Sequence, residues 1–204
     1  MLCCLAGWAN PVRGEGSAAE GRPLIIFLGD SLTAGFGLSE EQAFPARVSA
    51  QLEERGVPTR IVNAGISGDT TAGGVSRLDW LLAQRPEVVV VALGANDGLR
   101  GLSLAETESN LDAILRRCLK VGVRVLLVGM KIPPSYGVDY ARGFEAIFGR
   151  LANRHEVSLM PFLLEGVAAV PDLNLPDGIH PNPEGHRRVA TNVTPYLAAI
   201  LAGG

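Results

Sequence analysis

From residue 23 onward, short apolar runs alternate with longer stretches in which apolar residues recur at three- and four-residue spacing. The runs 24–28 (LIIFL), 59–64 (TRIVNA), 87–93 (EVVVVAL), 124–130 and 157–162 predict five strands. The amphipathic stretches predict helices over 44–55, 71–84, 103–120, 140–155 and 183–201. Local signals set several ends. Val48 and Leu52 mark the buried face of the first helix, and Pro86 follows the second. Ser103 and Glu106 have capping-box spacing, Gly122 supplies a C-terminal stop, and Pro183 suits a first helical turn.

Strict alternation of strand and helix predicts a parallel sheet covered on both faces. The run 87–93 is the most continuously apolar and should be the central strand. Five strands in roughly 180 residues predict a three-layer α/β/α sandwich with a flavodoxin-like five-stranded parallel sheet, rather than a barrel. Ligands of such sheets bind beyond the carboxyl ends of the strands, so the trailing loops are informative. After the first four strands these read GDSLTAGFG, GISGDTT, GANDGLRG and KIPPSYG. Polar and glycine-rich residues therefore collect along one edge of the sheet.

Composition narrows the function classes. The chain has 204 residues, 47% of them apolar and 19% charged, with a formal net charge of −3. That balance, with basic residues scattered, predicts no nucleic-acid surface. Aromatics, at 5%, are too few for a base-stacking platform. Arg116-Arg117 and Arg187-Arg188 are expected on solvated helix faces. Cys118 falls at helical spacing with Leu111, Ile114 and Leu115 and should pack as a small apolar residue. Cys3 and Cys4 are adjacent, and no CxxC or Cys/His spacing suggests a metal site. No segment after the first ten residues approaches the roughly twenty apolar residues of a membrane span, so no stable membrane insertion is expected. The opening MLCCLAGWAN is short and apolar and ends in small residues, with Gly7-Trp8-Ala9 fitting a cleavage site before Asn10. It lacks a positive n-region, which suggests a truncated export signal and a periplasmic or secreted protein, otherwise a cytoplasmic one. Residues 11–22 read as linker. The expected organisation is a tail over 1–22 and one domain over 23–204.

The abrupt end of the first strand in Gly29-Asp30-Ser31 has two readings: a phosphate cradle or an exposed nucleophile. A phosphate loop of the Walker type needs a lysine that this loop lacks, and the glycines at 29, 35 and 37 miss the dinucleotide spacing. A nucleophile needs a base, an orienting acid and oxyanion donors. Of the three histidines, His155 ends a helix, where the dipole favours it structurally. His186 lies beside Arg187 and Arg188, which suggests a solvated face. His180 sits in the loop PDGIHPNPEG with Asp177 three residues earlier, a spacing at which a turn can bring the carboxylate to the imidazole. Ser31 can offer its backbone N–H, Gly68 an N–H with no Cβ in the way, and Asn96 a side-chain amide. Singly, Gly68 reads equally as a plain turn and Asn96 as a turn or capping residue. Together they follow the first three strands.

These blocks resemble a known family. Ser31 in GDSLTAG, Gly68 in NAGISGDTTAGG, Asn96 in LGANDGLRG and His180 in DGIHPN are similar to the four ordered blocks of the SGNH hydrolases, also called GDSL esterases. SRLDWLL, GMKIPPSYG and MPFLLEGVA look like the bacterial arylesterase branch, related to acyl-CoA thioesterase and lysophospholipase I. The resemblance spans residues 24–201. It implies Ser31 as nucleophile, His180 as base and Asp177 as its orienting acid. It also implies an oxyanion hole from the Ser31 and Gly68 N–H groups and the Asn96 amide. Asp30 and Asp97 are then expected to support the loops by hydrogen bonds. Two departures lie outside the four blocks: Pro176 precedes Asp177, and His186 stands where many relatives carry glutamine.

The implied reaction is hydrolysis of an ester or thioester of a small molecule through an acyl-enzyme, with no cofactor. The loops after strands three and four, with Leu99, Pro133, Pro134 and Tyr136, are expected to choose the substrate, and their apolar character favours acyl chains or aryl groups. Alternatives on the same scaffold are a lysophospholipase and a carbohydrate acetylesterase. A non-catalytic flavin- or nucleotide-binding module is the alternative from another class.

Overall fold

Five strands, β1 (Leu24–Gly29), β2 (Arg60–Gly65), β3 (Val88–Ala92), β4 (Arg124–Val128) and β5 (Ser158–Met160), form one parallel sheet in the order β2-β1-β3-β4-β5. This is a computed structural model, and it describes residues 21–203; the expectations for Cys3, Cys4 and the export signal lie outside the described residues. Among the described residues seven α-helices accompany the strands: α1 (Ser31–Ala34), α2 (Phe44–Glu54), α3 (Thr71–Leu82), α4 (Ala95–Leu99), α5 (Leu104–Lys120), α6 (Val138–His155) and α7 (Pro183–Ala202). Helix α2 packs on α7, while α3, α5 and α6 pack in a row. Right-handed crossovers put the connection from β1 to β2 on the face opposite those that run the other way along the sheet. The result is the expected three-layer α/β/α sandwich.

The core follows from the sequence pattern. Every residue of β1 and β3 is buried, as continuous apolar runs in a doubly covered sheet require. Phe27 on β1 meets Phe44 on α2 edge to face, with ring centroids 5.5 Å apart. On α5, Leu111, Ile114, Leu115 and Cys118 form the buried stripe, and burial pushes the Cys118 thiol up to about 12, far from a reactive thiolate. The Ser103 side chain accepts from the Glu106 N–H, and Arg117 and Lys120 face the C-terminal end of the helix dipole.

Some elements are shorter than the pattern predicts, for local reasons. Strand β5 covers three residues rather than 157–162, because Pro161 brings no N–H to the ladder. Helix α3 stops at Leu82, ahead of Arg85 at φ 54° and Pro86. The register pairs Gly29 with Gly65 and with Ala92, so β1, β2 and β3 end level. Chain order reverses at β1, whose neighbours β2 and β3 lie on opposite sides. The loops carrying Ser31, Gly68 and Asn96 therefore leave side by side from the switch point of the sheet.

Candidate active site

Strand β1 turns straight into α1. A Cβ on Gly29 would lie 1.9 Å from Thr33 Oγ1, so only glycine lets the short helix fold back this closely over the strand end. Asp30 caps α1 by accepting from the Leu32 N–H at 3.0 Å, which makes Ser31 the first helical residue. Asp30 is fully buried. Burial pushes its carboxyl up to about 6, against the opposing pull of the Leu32 N–H and of His180.

His180 arrives from the loop before α7. The Leu175 N–H donates to the His180 carbonyl at 2.7 Å, and the Asn182 N–H donates to the Leu173 carbonyl at 3.0 Å, pinning both sides of the turn. Asn182 then caps α7 through the Glu184 and Gly185 N–H groups. Asp177 Oδ1 accepts from the Ile179 N–H at 2.8 Å and the His180 N–H at 3.0 Å, while Oδ2 lies 2.7 Å from His180 Nδ1. Those two backbone donors, with the ring, hold the Asp177 carboxyl down to about 2. An ionised Asp177 requires the proton on Nδ1, which leaves Nε2 as an acceptor. Nε2 stands 2.9 Å from Ser31 Oγ, so the hydroxyl can donate to it. Phe36 lies against the imidazole, with centroids 4.5 Å apart.

The two other candidate donors come from the neighbouring loops. Gly68 has φ +80°, a conformation that costs a residue with a Cβ. Among the described residues, the N–H groups of Ser31 and Gly68 carry no hydrogen bond. Asn96 is the second residue of α4, whose N-cap is Gly94, so it does not cap the helix. Its Nδ2 donates to the Asp69 carbonyl at 3.0 Å and to Asp30 Oδ2 at 3.3 Å. Asp97 is buried and accepts from the Thr71 N–H at 2.9 Å and the Thr71 hydroxyl at 2.5 Å, tying α4 to the start of α3. The support roles expected of Asp30 and Asp97 have these contacts as their physical basis.

Arg77 on α3 is a residue that the sequence reading missed. It donates from Nη2 to the Gly29 carbonyl at 2.9 Å, from Nη1 to the Ala64 carbonyl at 2.6 Å, and from Nε to Asp69 Oδ2 at 2.9 Å. One guanidinium thus joins the ends of β1 and β2 to the loop that carries Gly68, a planar fork matched to three acceptors. Its place in SRLDWLL gives no sign of this, because helical spacing does not say which strand end a helix crosses.

A mostly apolar cavity of about 500 Å³ opens at this edge of the sheet, with Ser31, Gly68, Asn96 and His180 in its wall. Leu99 and Pro133 line it, while Pro134 and Tyr136 do not. The 3-10 turn Pro134–Tyr136 leaves Tyr136 half exposed, and α6 begins at once behind Gly137. The remaining wall includes Phe36, Met130, Phe162, Leu164, Ala168 and Ala169. Of these, 162–168 fall within the MPFLLEGVA stretch, which had entered only as part of a resemblance.

The two remaining histidines differ from each other. His155 Nε2 lies 2.8 Å from Asp112 Oδ1 at the C-terminal end of α6, the expected structural setting. His186 corrects the expectation of a solvated face. It is buried, its Nδ1 accepts from the Phe44 N–H at 3.1 Å, and its ring stacks on Phe44. Arg187 and Arg188 point outward, and position 186 falls on the α7 face turned towards α2. Among the described residues, no three His, Cys, Asp or Glu side chains gather in a metal-holding group. No helix among them is long and apolar enough to cross a membrane.

Comparison with known proteins places this geometry. Residues 27–188 match the model of the GDSL-like lipase/acylhydrolase family. Esterase TesA of Pseudomonas aeruginosa is 41% identical over 178 residues, covering 87% of this chain and 89% of that one. Thioesterase 1/protease 1/lysophospholipase L1 of Escherichia coli K12 is 40% identical over 178 residues, covering 87% and 84%. The crystal structure of TesA superposes with a TM-score of 0.84 at 40% identity, covering 87% of this chain and 99% of that one. The chain belongs to the GDSL-like lipase/acylhydrolase family and is a hydrolase of its esterase kind.

Proposed function

We propose that Ser31, His180 and Asp177 carry the hydrolysis of carboxylic esters and thioesters through an acyl-enzyme on Ser31. The observation that supports it is the unbroken line from Asp177 Oδ2 to His180 Nδ1, at 2.7 Å, and from Nε2 to Ser31 Oγ, at 2.9 Å, ending at the cavity wall. In this reading Nε2 takes the Ser31 proton as Oγ attacks the carbonyl carbon. The resulting imidazolium is stabilised by ionised Asp177, and it passes the proton to the departing alcohol or thiol. Water, deprotonated by the same Nε2, then attacks the acyl carbon and releases the acid.

The negative charge on the tetrahedral oxygen needs donors. The free N–H groups of Ser31 and Gly68 support that role directly. Asn96 can join them by giving up its longer contact, the one to Asp30 Oδ2, while the Asp69 carbonyl keeps the amide in place. Substrate choice rests with the cavity. Leu99, Pro133, Met130 and Phe162 support an acyl chain or aryl group over a sugar. Pro134 and Tyr136 lie outside the cavity lining and are not part of this proposal. Hydrolysis of nitrophenyl esters and acyl-CoAs of graded chain length tests the reading. Turnover should rise with chain length until the cavity is filled, and failure on every ester and thioester would reject it. The domain that carries the activity runs from residue 23, and the apolar segment before Asn10 supports export to the periplasm or beyond.

A further inference from the structure

Arg100 is the C-cap of α4, directly after the cavity residue Leu99. Its side chain is exposed, and Nη2 donates to the Gly68 carbonyl at 2.9 Å. That is the one hydrogen bond its guanidinium makes among the described residues, and no carboxylate there stands within ion-pair distance of it. Four of its five N–H donors thus remain for water or a ligand. Lys131, the cation in the cavity wall, is differently placed. Its Nζ pairs with Glu145 Oε1 at 3.1 Å and sits 5.2 Å above the Phe162 ring. The wall therefore runs from Met130, Phe162 and Leu164, which follow β4 and β5 and carry the paired Lys131, to Ser67 and Gly68 after β2, where Arg100 has no ion-pair partner among the described residues.

We propose that Arg100 is a specificity-determining residue that binds an anionic phosphate on the substrate, outside its acyl chain. The inference rests on the esterase reading above. Arg100 lies outside the cavity lining, so with the acyl chain against Met130 and Phe162 and the carbonyl at Ser31 and Gly68, only a group that leaves the cavity past Gly68 reaches the guanidinium. Arginine suits that task, since its planar, positively charged fork matches phosphate oxygens. Two sources share this chemistry: the phosphate of a lysophospholipid and the phosphates of a coenzyme A thioester.

The test compares kcat/KM for wild type, Arg100→Gln and Arg100→Glu on three octanoyl substrates. These are the neutral p-nitrophenyl ester, octanoyl-CoA and octanoyl lysophosphatidylglycerol. Glutamine removes the charge and is too short to hold the Gly68 carbonyl as Nη2 does, so the neutral ester reports any loss of loop position and the anionic ones report the charge in addition. Arg100→Gln should leave the neutral ester within about twofold. It should lower kcat/KM on an anionic substrate by roughly three- to tenfold, mainly through KM, as expected for one exposed charge-assisted contact. Arg100→Glu should lower it further, and the wild-type advantage should shrink as salt rises. Loss confined to the thioester or to the lysophospholipid identifies the source. Equal effects on neutral and anionic substrates, no effect on either anionic one, or a wild type that turns over only the neutral ester would overturn the inference alone. A folded wild type inactive on all three would overturn the esterase reading, and this inference with it.

Discussion

Asn96 shares one side-chain nitrogen between the buried Asp30 carboxylate at 3.3 Å and the Asp69 carbonyl at 3.0 Å. The amide is therefore held in place beside Ser31 before any substrate arrives, and the residue that holds it adjoins the nucleophile in sequence. Preorganised donors of this kind act mainly on the transition state, because no reorientation is needed as charge develops. Asn96→Ala should lower kcat by about a hundred- to a thousandfold with little change in KM. Asn96→Asp should be at least as damaging, since it faces both the oxyanion and Asp30 with a second carboxylate. Steady-state kinetics with thermal midpoints check this. Near-normal turnover by Asn96→Asp would contradict the oxyanion role proposed for Asn96.

Asp177 accepts from the backbone N–H of the histidine whose ring it also meets, so one carboxylate shapes the loop and sets the tautomer. Asp177→Asn can retain the backbone contacts through its carbonyl oxygen, yet it presents an NH₂ to Nδ1. The ring is then driven to carry its proton on Nε2, where it cannot accept from Ser31. A loss of kcat of about a thousandfold or more is expected, with a modest change in thermal midpoint. Because the Asp177 carboxyl is held down to about 2, it stays ionised across the working range. Its stabilising contribution is present above the ordinary 3.8 and is lost only as pH falls towards 2. An acid limb of activity above pH 4 is therefore not the titration of Asp177, and activity profiles of wild type and Asp177→Asn can be compared for it.

His186 gives a pH signature in stability. Burial brings its ring from the ordinary 6.5 down to about 4, so the folded protein holds it neutral. The contribution is complete above pH 6.5 and is lost as pH falls from there towards 4, by about 3 kcal/mol in all. Asp30 works in the opposite sense. Its carboxyl, raised to about 6, makes the fold more stable as pH falls from 6 towards 3.8. The comparison to make is between wild type and His186→Gln, whose side-chain oxygen can still accept from the Phe44 N–H. From pH 7 to pH 4 the stability difference should shift in favour of the variant by about 3 kcal/mol. Denaturant unfolding at both pH values measures it, and a constant difference would contradict the assignment.

Arg77 predicts a coupled loss of stability and rate. Arg77→Lys keeps a charge near Asp69, but one ammonium cannot reach Asp69 and the Gly29 and Ala64 carbonyls together. A loss of about 2 kcal/mol is expected, which corresponds to roughly 4–8 °C in thermal midpoint for a chain of this size. Turnover should fall as the Gly68 loop loosens. Unchanged melting and kcat would show that the three contacts are dispensable.

The sheet was legible because its strands are continuous apolar runs and its loops announce themselves by glycine and polarity. Following the first three strands was enough to put Ser31, Gly68 and Asn96 at one edge, while His180 was joined to them only through the family resemblance. What spacing could not supply was direction. Tyr136 and Pro134 follow the right strand, yet they form a 3-10 turn ahead of α6 that lies outside the cavity lining. His186 looked solvated beside two arginines, but helical periodicity rotates it about 100° from Arg187 and places it against Phe44. Arg77 and Phe36 act on the site through tertiary contacts that no local pattern encodes.

The central claim is that Ser31 Oγ is the nucleophile activated by His180, and its most direct measurement is covalent trapping. An organophosphonate ester with a good leaving group should inactivate the wild type and add one phosphonyl mass, which tryptic mass spectrometry should locate on Ser31. Ser31→Ala should fold with a wild-type melting profile, take up no label and retain almost no esterase activity. Label on another residue, or turnover by Ser31→Ala near the wild-type rate, would contradict the account.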